Sequence, residues 1–303
     1  MSVQSPDLPL LVQRILAQQR TTLVAAATQA LDSFGNPPAG SAALLDHEWA
    51  RQHKHKDTVA ATFAESAGTV TSLLAAADEY SRGIMALLDD DQMLVLPAMN
   101  CVRAIHDASL RICWLVDPEI SVEARLARSA ADFLATVQGG IPLLRIFDES
   151  LGDRGDLQRG LKGRDGAVEH FVSLGLEVKL NGKGDAIHVR CGNNVANINV
   201  KSTDLSLKYT PRVHYAWGLN SGATHSSPWL THGLSGPWSQ MLVSMISPLL
   251  DISDALATNL LGYVGLPADD VRRSTHTRRL LLMDRYGRDG RPFVHHETYH
   301  RGN

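Results

Sequence analysis

One short stretch of this chain alternates apolar and polar residues, and it is bracketed by sequence that repeats at helical spacing. Leu176-Glu-Val-Lys-Leu180 alternates, Asn181-Gly-Lys-Gly184 is turn chemistry, and Ala186-Ile-His-Val-Arg190 alternates again. Period-two patterning around a Gly- and Asn-rich turn reads as a β-hairpin. Residues 195–200 could add a third short strand. Before and after this insertion, apolar residues recur at intervals of three and four, the mark of amphipathic helices. The expected fold is therefore all-α, a multi-helix array or bundle with a small β-hairpin insertion near 176–200.

Helix boundaries follow from punctuation. Gly35-Asn-Pro-Pro38 ends a helix that starts near Asp7, and Ser41 can cap a second through about His55. Residues 57–88 are Ala-rich and helical, with Asp89-Asp-Asp91 at or near the end. Residues 93–116 form the most apolar helical segment, closed by Asp117-Pro118. Ser121 opens another helix, which Gly139-Gly140 and Pro142 are expected to break near Val137. Shorter helices are expected at about 143–151 and 160–174. Pro211, Pro237 and Pro267 open the last three, running to about His225, Leu261 (bent near Pro248) and Arg285. At 303 residues this reads as one helical domain over 1–286, with a disordered, basic, His-rich tail over 287–303.

Composition narrows the class. The hydrophobic fraction of 44% and charged fraction of 20% suit a globular chain with a sizeable core. No uninterrupted run approaches the roughly 18 apolar residues of a spanning helix. The N-terminus lacks a basic segment followed by an apolar one, so the expected location is cytoplasmic, with no membrane. Three cysteines, Cys101, Cys113 and Cys191, with no Cys-x-x-Cys spacing, argue against a disulfide scaffold or a cysteine zinc site. The net charge of −3 is uneven: residues 271–301 carry +5, which leaves −8 elsewhere. An Arg-rich C-terminus on an acidic body fits RNA or another anionic partner.

Two constellations could carry chemistry. Arg103, Asp107 and Arg111 lie at i, i+4 and i+8 of the most apolar helix, so they share a face. Charges in such surroundings need partners. They form either an anion-binding or acid/base pocket or an internal ion-pair network. The second constellation is the helix 211–225, in which His214, Gly218, Ser221 and His225 share a face. That face is expected to turn inward and carry His225 into the protein, where its pKa could be tuned.

These residues carry a resemblance. Arg103-Ala-Ile-His-Asp107, Trp114-Leu-Val-Asp-Pro118, Arg125 and Arg128 resemble a pattern in uncharacterised helical proteins of actinobacteria. So do Tyr215, Leu219-Asn-Ser221 and His225, which follow the β insertion. The family pattern has Glu where this chain has Asp107, and Ser directly after the Leu where this chain has Asn220. A more distant similarity is to HEPN proteins, helical and often RNA-cleaving, whose mark is Arg-x4–6-His. Arg164 and His170 match that spacing, although a chain with this many Arg and His produces about three such matches by chance.

Other motifs have plain readings. His296-Glu-Thr-Tyr-His300 is a literal HExxH, but it has no apolar periodicity around it and no room for a downstream ligand. His47, His53 and His55 read as a solvated face. No metal set and no cofactor motif is expected.

Three functions remain open. The leading one is a non-catalytic helical protein that binds a partner as a homo-oligomer, with its polar cluster buried and mutually satisfied. An alternative is a HEPN-like, metal-independent ribonuclease or defence toxin, with His225 as general acid or base, Arg103 on the phosphate and Asp107 orienting one of them. These three would then converge on an open cleft. The third is a small-molecule binder with an aromatic pocket of Trp114, Tyr215, Trp217 and Trp229, and with Arg111 and Ser221 as further ligand-binding candidates.

Overall fold

A computed structural model of the chain describes residues 8–89, 94–152, 155–225 and 238–288. Six helices precede the sheet: α1 (Leu8–Phe34), α2 (Ala42–Gln52), α3 (Lys56–Asp89), α4 (Val95–Leu115), α5 (Val122–Leu151) and α6 (Asp156–Ser173). Strands β1 (Glu177–Leu180), β2 (Ala186–Cys191) and β3 (Asn194–Asn197) follow. The rest is α7 (Ser202–Tyr209), a 3-10 turn at Pro211–Val213, α8 (His214–Thr224), α9 (Trp238–Tyr263) and α10 (Asp269–Arg288). The all-α class with a small β insertion is thus observed.

The apolar positions of the long helices build two stacked cores. One gathers α2, α5, the sheet and the facing ends of α1, α3, α4 and α9 around residues such as Ile112, Leu126, Leu134, Val189 and Leu260. The other gathers the opposite ends of those four helices with α8 around Ile15, Ile84, Val102, Leu242 and Ile246. Helix α4 runs through both and is buried along most of its length, as its apolar sequence requires.

Local chemistry sets the ends. Ser41 and Ser121 cap α2 and α5 by accepting the backbone N–H of Leu44 and Ala124. Helices α6 and α9 both close in Schellman motifs. Leu176 N–H reaches Phe171 O at 3.1 Å, and Leu266 N–H reaches Leu261 O at 2.8 Å. The residue between must take positive φ, and Gly175 (87°) and Gly265 (73°) do so. A Cβ at Gly265 would also lie 2.9 Å from Ser41 Cβ, so this glycine lets the end of α9 seat on the cap of α2.

Several expectations need correction. Helix α5 runs unbroken through Gly139, Gly140 and Pro142. Local propensity disfavours this by several kcal/mol, but tertiary contacts on both sides outweigh it. Ile141 is buried, and Gln138 clamps β2 by donating to Ala186 O and accepting from Ala186 N–H. Helix α7 has no counterpart among the expected elements. It forms with Thr210 closing its last turn onto Ser206 O. The third strand is shorter than 195–200 and starts at Asn194. Strict alternation in β2 fails as well. Lys179 pairs His188 while Leu180 pairs Ala186, so Ile187 is an extra, bulged residue. The bulge turns Ala186 inward and leaves Ile187 exposed.

Among the described residues α3 alone is long and apolar enough to cross a membrane, with 17% of its apolar window buried. Counting uninterrupted apolar runs missed it, because its many Ala residues raise the mean hydropathy between scattered polar ones.

Candidate functional site

The charged stripe of α4 divides into two sites. Arg103 Nε donates to Asp107 Oδ2 at 2.6 Å across one helical turn. Helix α8 completes the arrangement with Trp217. Its Nε1–H donates to Asp107 Oδ1 at 3.1 Å, and its carbonyl accepts from Arg103 at 3.1 Å. The guanidinium carbon of Arg103 lies 3.7 Å from the centroid of the Trp217 ring, a cation–π contact. Arg103, Asp107 and Trp217 therefore satisfy one another, in keeping with the ion-pair alternative of the sequence reading.

Arg111 turns away to α5. Its Nε donates to Asp132 at 2.5 Å, and its Nη2 donates to Thr136 at 3.1 Å. Asp132 and Thr136 are themselves one turn apart, so two helices present matched polar steps. Beside them lies a half-open cleft of about 370 Å³ between α4, α5 and the segment joining β3 to α7. Asp107, Arg111, Trp114, Asp132, Thr136 and Asn199 line it. Sequence reasoning found Asp107, Arg111 and Trp114 and missed Asp132, Thr136 and Asn199. The i, i+4 pairing of Asp132 with Thr136 inside an apolar stretch of α5 was the available signal.

Helix α8 packs by a different face from the expected one. Val213, Ala216, Asn220 and Ala223 are buried, while Gly218 is exposed and His214 and Ser221 are half-buried. His225 is the C-cap residue of α8 and is exposed, its N–H bonding Ser221 O at 3.1 Å. The inward stripe was set by apolar Val213, Ala216 and Ala223, and not by the polar residues between them. Arg103 and Asp107 are thus brought together, and neither hydrogen-bonds His225. The aromatic candidates do not line one cavity either. Trp114 lines the polar cleft, Trp217 covers Arg103, Tyr215 is exposed at the surface, and Trp229 lies outside the described residues.

The histidine that burial perturbs most is His106, on the inner side of α4. It is fully buried, with Nε2 at 2.9 Å from Thr210 Oγ1 and Nδ1 unpartnered. Desolvation lowers its pKa to about 4; Asp107 opposes the shift, and Arg103 and His214 add to it.

The Arg125 and Arg128 of the resemblance serve two polar hubs. Arg125 is paired with Asp46, fully buried, and also donates to the carbonyls of Ala42, Asp117 and Ile120. Arg128 donates to Trp114 O at 2.7 Å and to Tyr209 Oη at 3.1 Å. It shares Asp117 with Lys208 and Tyr209, each of which donates to Asp117 Oδ2 at 2.7 Å. Burial alone would raise the Asp117 carboxyl. The hydrogen bonds from Lys208, Tyr209 and the Glu119 backbone outweigh it and hold it below the ordinary range.

Other candidates settle into structural places. His53 caps α2 and stacks on Trp49, and His55 lies in the corner before α3. Arg164 is buried and paired with Asp165 and Asp185, on the hairpin side of α6. Four arginines of α10 bond within the chain: Arg272 to Thr258, Arg273 to Asp270, Arg278 to Gln19 and Thr22, and Arg279 to Asp251 and Asp254. No described group of three His, Cys, Asp or Glu is arranged to hold a metal ion. The HExxH stretch and the expected tail beyond Arg288 lie outside the described residues.

Comparison with known proteins returned no relative: no family model, no curated protein and no solved structure matches the chain.

Proposed function

We propose that this is a non-catalytic helical protein that acts by binding a partner, and that a second copy of the chain is that partner. The observation that carries the reading is an apolar face on the C-terminal half of α5 that no described residue covers. Leu143, Ile146 and Phe147, at i, i+3 and i+4, are 52%, 55% and 44% exposed. Contiguous apolar surface of this kind marks interaction sites. Gly139 and Gly140 sit one turn earlier on the same face, with open space where a Cβ would stand. A two-fold axis at Leu143 would lay Phe147 of each copy over Gly139 of the other, a self-matching contact. It would also give Gly139 and Gly140 a use in a helix they otherwise weaken.

The mutual pairing of Arg103, Asp107 and Trp217 supports a structural role for the polar cluster, while the full burial expected with that role is not met, since Asp107 is 38% exposed and lines the cleft. The ribonuclease alternative needs His225 beside Arg103, and it lacks support because the hydrogen bonds of Arg103 and Asp107 go to each other and to Trp217, not to His225. A small-molecule role keeps one favourable observation, the cleft at Arg111, whose lining suits a polar ligand and not an aromatic one.

The test is a Leu143→Cys variant under mild oxidation. A residue on the axis meets its own copy, so the account expects a disulfide-linked dimer, absent from an Ala64→Cys control on α3. Cross-linking of both variants alike would overturn it.

A further inference from the structure

A second groove lies away from the α4 cleft, and we infer that it binds a single-chain amphiphile with an anionic head. Helices α2 and α3 meet at a tight corner, residues 53–55, and line a groove of about 760 Å³ together with residues 34–37 and Tyr263. This is within the range of small-molecule sites, about 300–1,000 Å³. The sequence builds two unlike regions along it.

The floor is apolar. Phe63 and Ala67 of α3 and Ala43, Leu44 and Ala50 of α2 line it, with the exposed Ala64 at its rim. Phe34 and Tyr263 close the far end, with their rings edge to face at 5.7 Å. Small residues on α3 keep the trough open where larger ones would fill it. Behind Phe34 and Tyr263 the apolar lining gives way to the buried Asp46–Arg125 pair. That pair is satisfied within the chain.

The corner end is cationic. Arg51 in the last turn of α2 and Lys56 in the first turn of α3 line the trough, with His47 between Arg51 and the floor. Arg51 and Lys56 are exposed, and neither forms an ion pair among the described residues. Asp57 is the one carboxylate in the lining. Two unpaired cations at one end of an apolar trough complement an anionic head on an aliphatic tail. The same geometry disfavours a cationic or a purely polar ligand. A single chain fits better than a membrane, because the floor is concave and closed by Phe34 and Tyr263.

The experiment is calorimetric titration of the full chain with dodecanoate and dodecyl phosphate, below their micelle concentrations. Dodecyltrimethylammonium serves as the charge-inverted probe. The expected result is saturable binding, with one site per chain, of at least one anion and none of the cation. The double variant Arg51→Glu/Lys56→Glu alters exposed residues only and is expected to weaken binding about tenfold or more, equivalent to about 1.4 kcal/mol. Ala64→Trp obstructs the trough from its rim and is expected to abolish binding while circular dichroism and the melting temperature stay at wild-type values. Three results would overturn the inference: no saturable binding of either anion, equal binding of the cation, or unchanged binding by Ala64→Trp. Sedimentation with anionic phospholipid vesicles, without uptake of either soluble anion, would assign the surface to a membrane and overturn it too.

Discussion

Asp46 and Arg125, 79 residues apart in sequence, meet at 2.7 Å with 1% and 2% of their side chains exposed. The pair ties α2 to α5, and Tyr263 of α9 donates a third hydrogen bond to Asp46 at 2.9 Å. Burial pushes the Asp46 carboxyl up, while Arg125 and Tyr263 pull it back. An ion pair this deep is costly to break from one side, because the remaining charge has no water. Arg125→Met is expected to destabilise the protein by about 3–5 kcal/mol in urea unfolding. Asp46→Asn/Arg125→Met is expected to cost less than the sum of the two single variants. Additive losses would show that the two groups do not depend on each other.

The contact of Arg103 with Trp217 gives a smaller effect with an optical signature. Arg103 is 16% exposed and Asp107 38% exposed, so solvent screens part of their attraction. Arg103→Ala is expected to cost about 1–2 kcal/mol, including the cation–π contact. Trp217→Phe keeps a ring under the guanidinium and loses the hydrogen bond to Asp107, for about 1 kcal/mol. The difference spectrum between wild type and Trp217→Phe isolates the Trp217 emission. The same difference taken in the Arg103→Ala background should lie further to the red.

His106 makes stability fall with acid. Its folded pKa of about 4 lies below its ordinary value of 6.5, so unfolding takes up a proton between the two. The contribution is complete above pH 6.5 and is lost as pH falls toward 4, at about 1.4 kcal/mol per unit. Asp117, whose carboxyl is held low, adds a second loss in more acidic solution, below its ordinary value of 3.8. His106→Gln should flatten the limb between pH 6.5 and 4 and leave the more acidic limb intact. An unchanged upper limb would show that His106 is not its source.

Helix α6 holds two exposed interior glycines with open space around the missing Cβ, Gly163 and Gly166. Nothing in the fold requires glycine there. Gly163→Ala and Gly166→Ala are each expected to raise stability by about 0.5–1 kcal/mol, read as a shift in the urea midpoint at constant slope.

Features carried by local pattern were legible in the sequence. Ser41 and Ser121 announce their helices, and Arg103 and Asp107 announce their pairing by spacing alone. The hairpin at 176–190 is written in its alternation. Features that depend on distant partners were not legible. No local signal joins Asp46 to Arg125 or Asp132 to Arg111. Helix α5 survives Gly139, Gly140 and Pro142 because Ile141 and Gln138 are held by packing and by the sheet. The face of α8 was misread by following its chemically interesting residues instead of its apolar ones, which placed His225 inside when it caps the helix at the surface.

The most direct test of the central claim is light scattering on the wild-type protein across a concentration series, beside Phe147→Asp. Phe147 is exposed and belongs to neither core, so the variant should fold and melt as wild type does. The account predicts a wild-type mass approaching twice 33.0 kDa as concentration rises, and a monomeric mass for Phe147→Asp throughout. A wild-type protein that stays at the mass of one chain, or a dimer indifferent to Phe147→Asp, would contradict it.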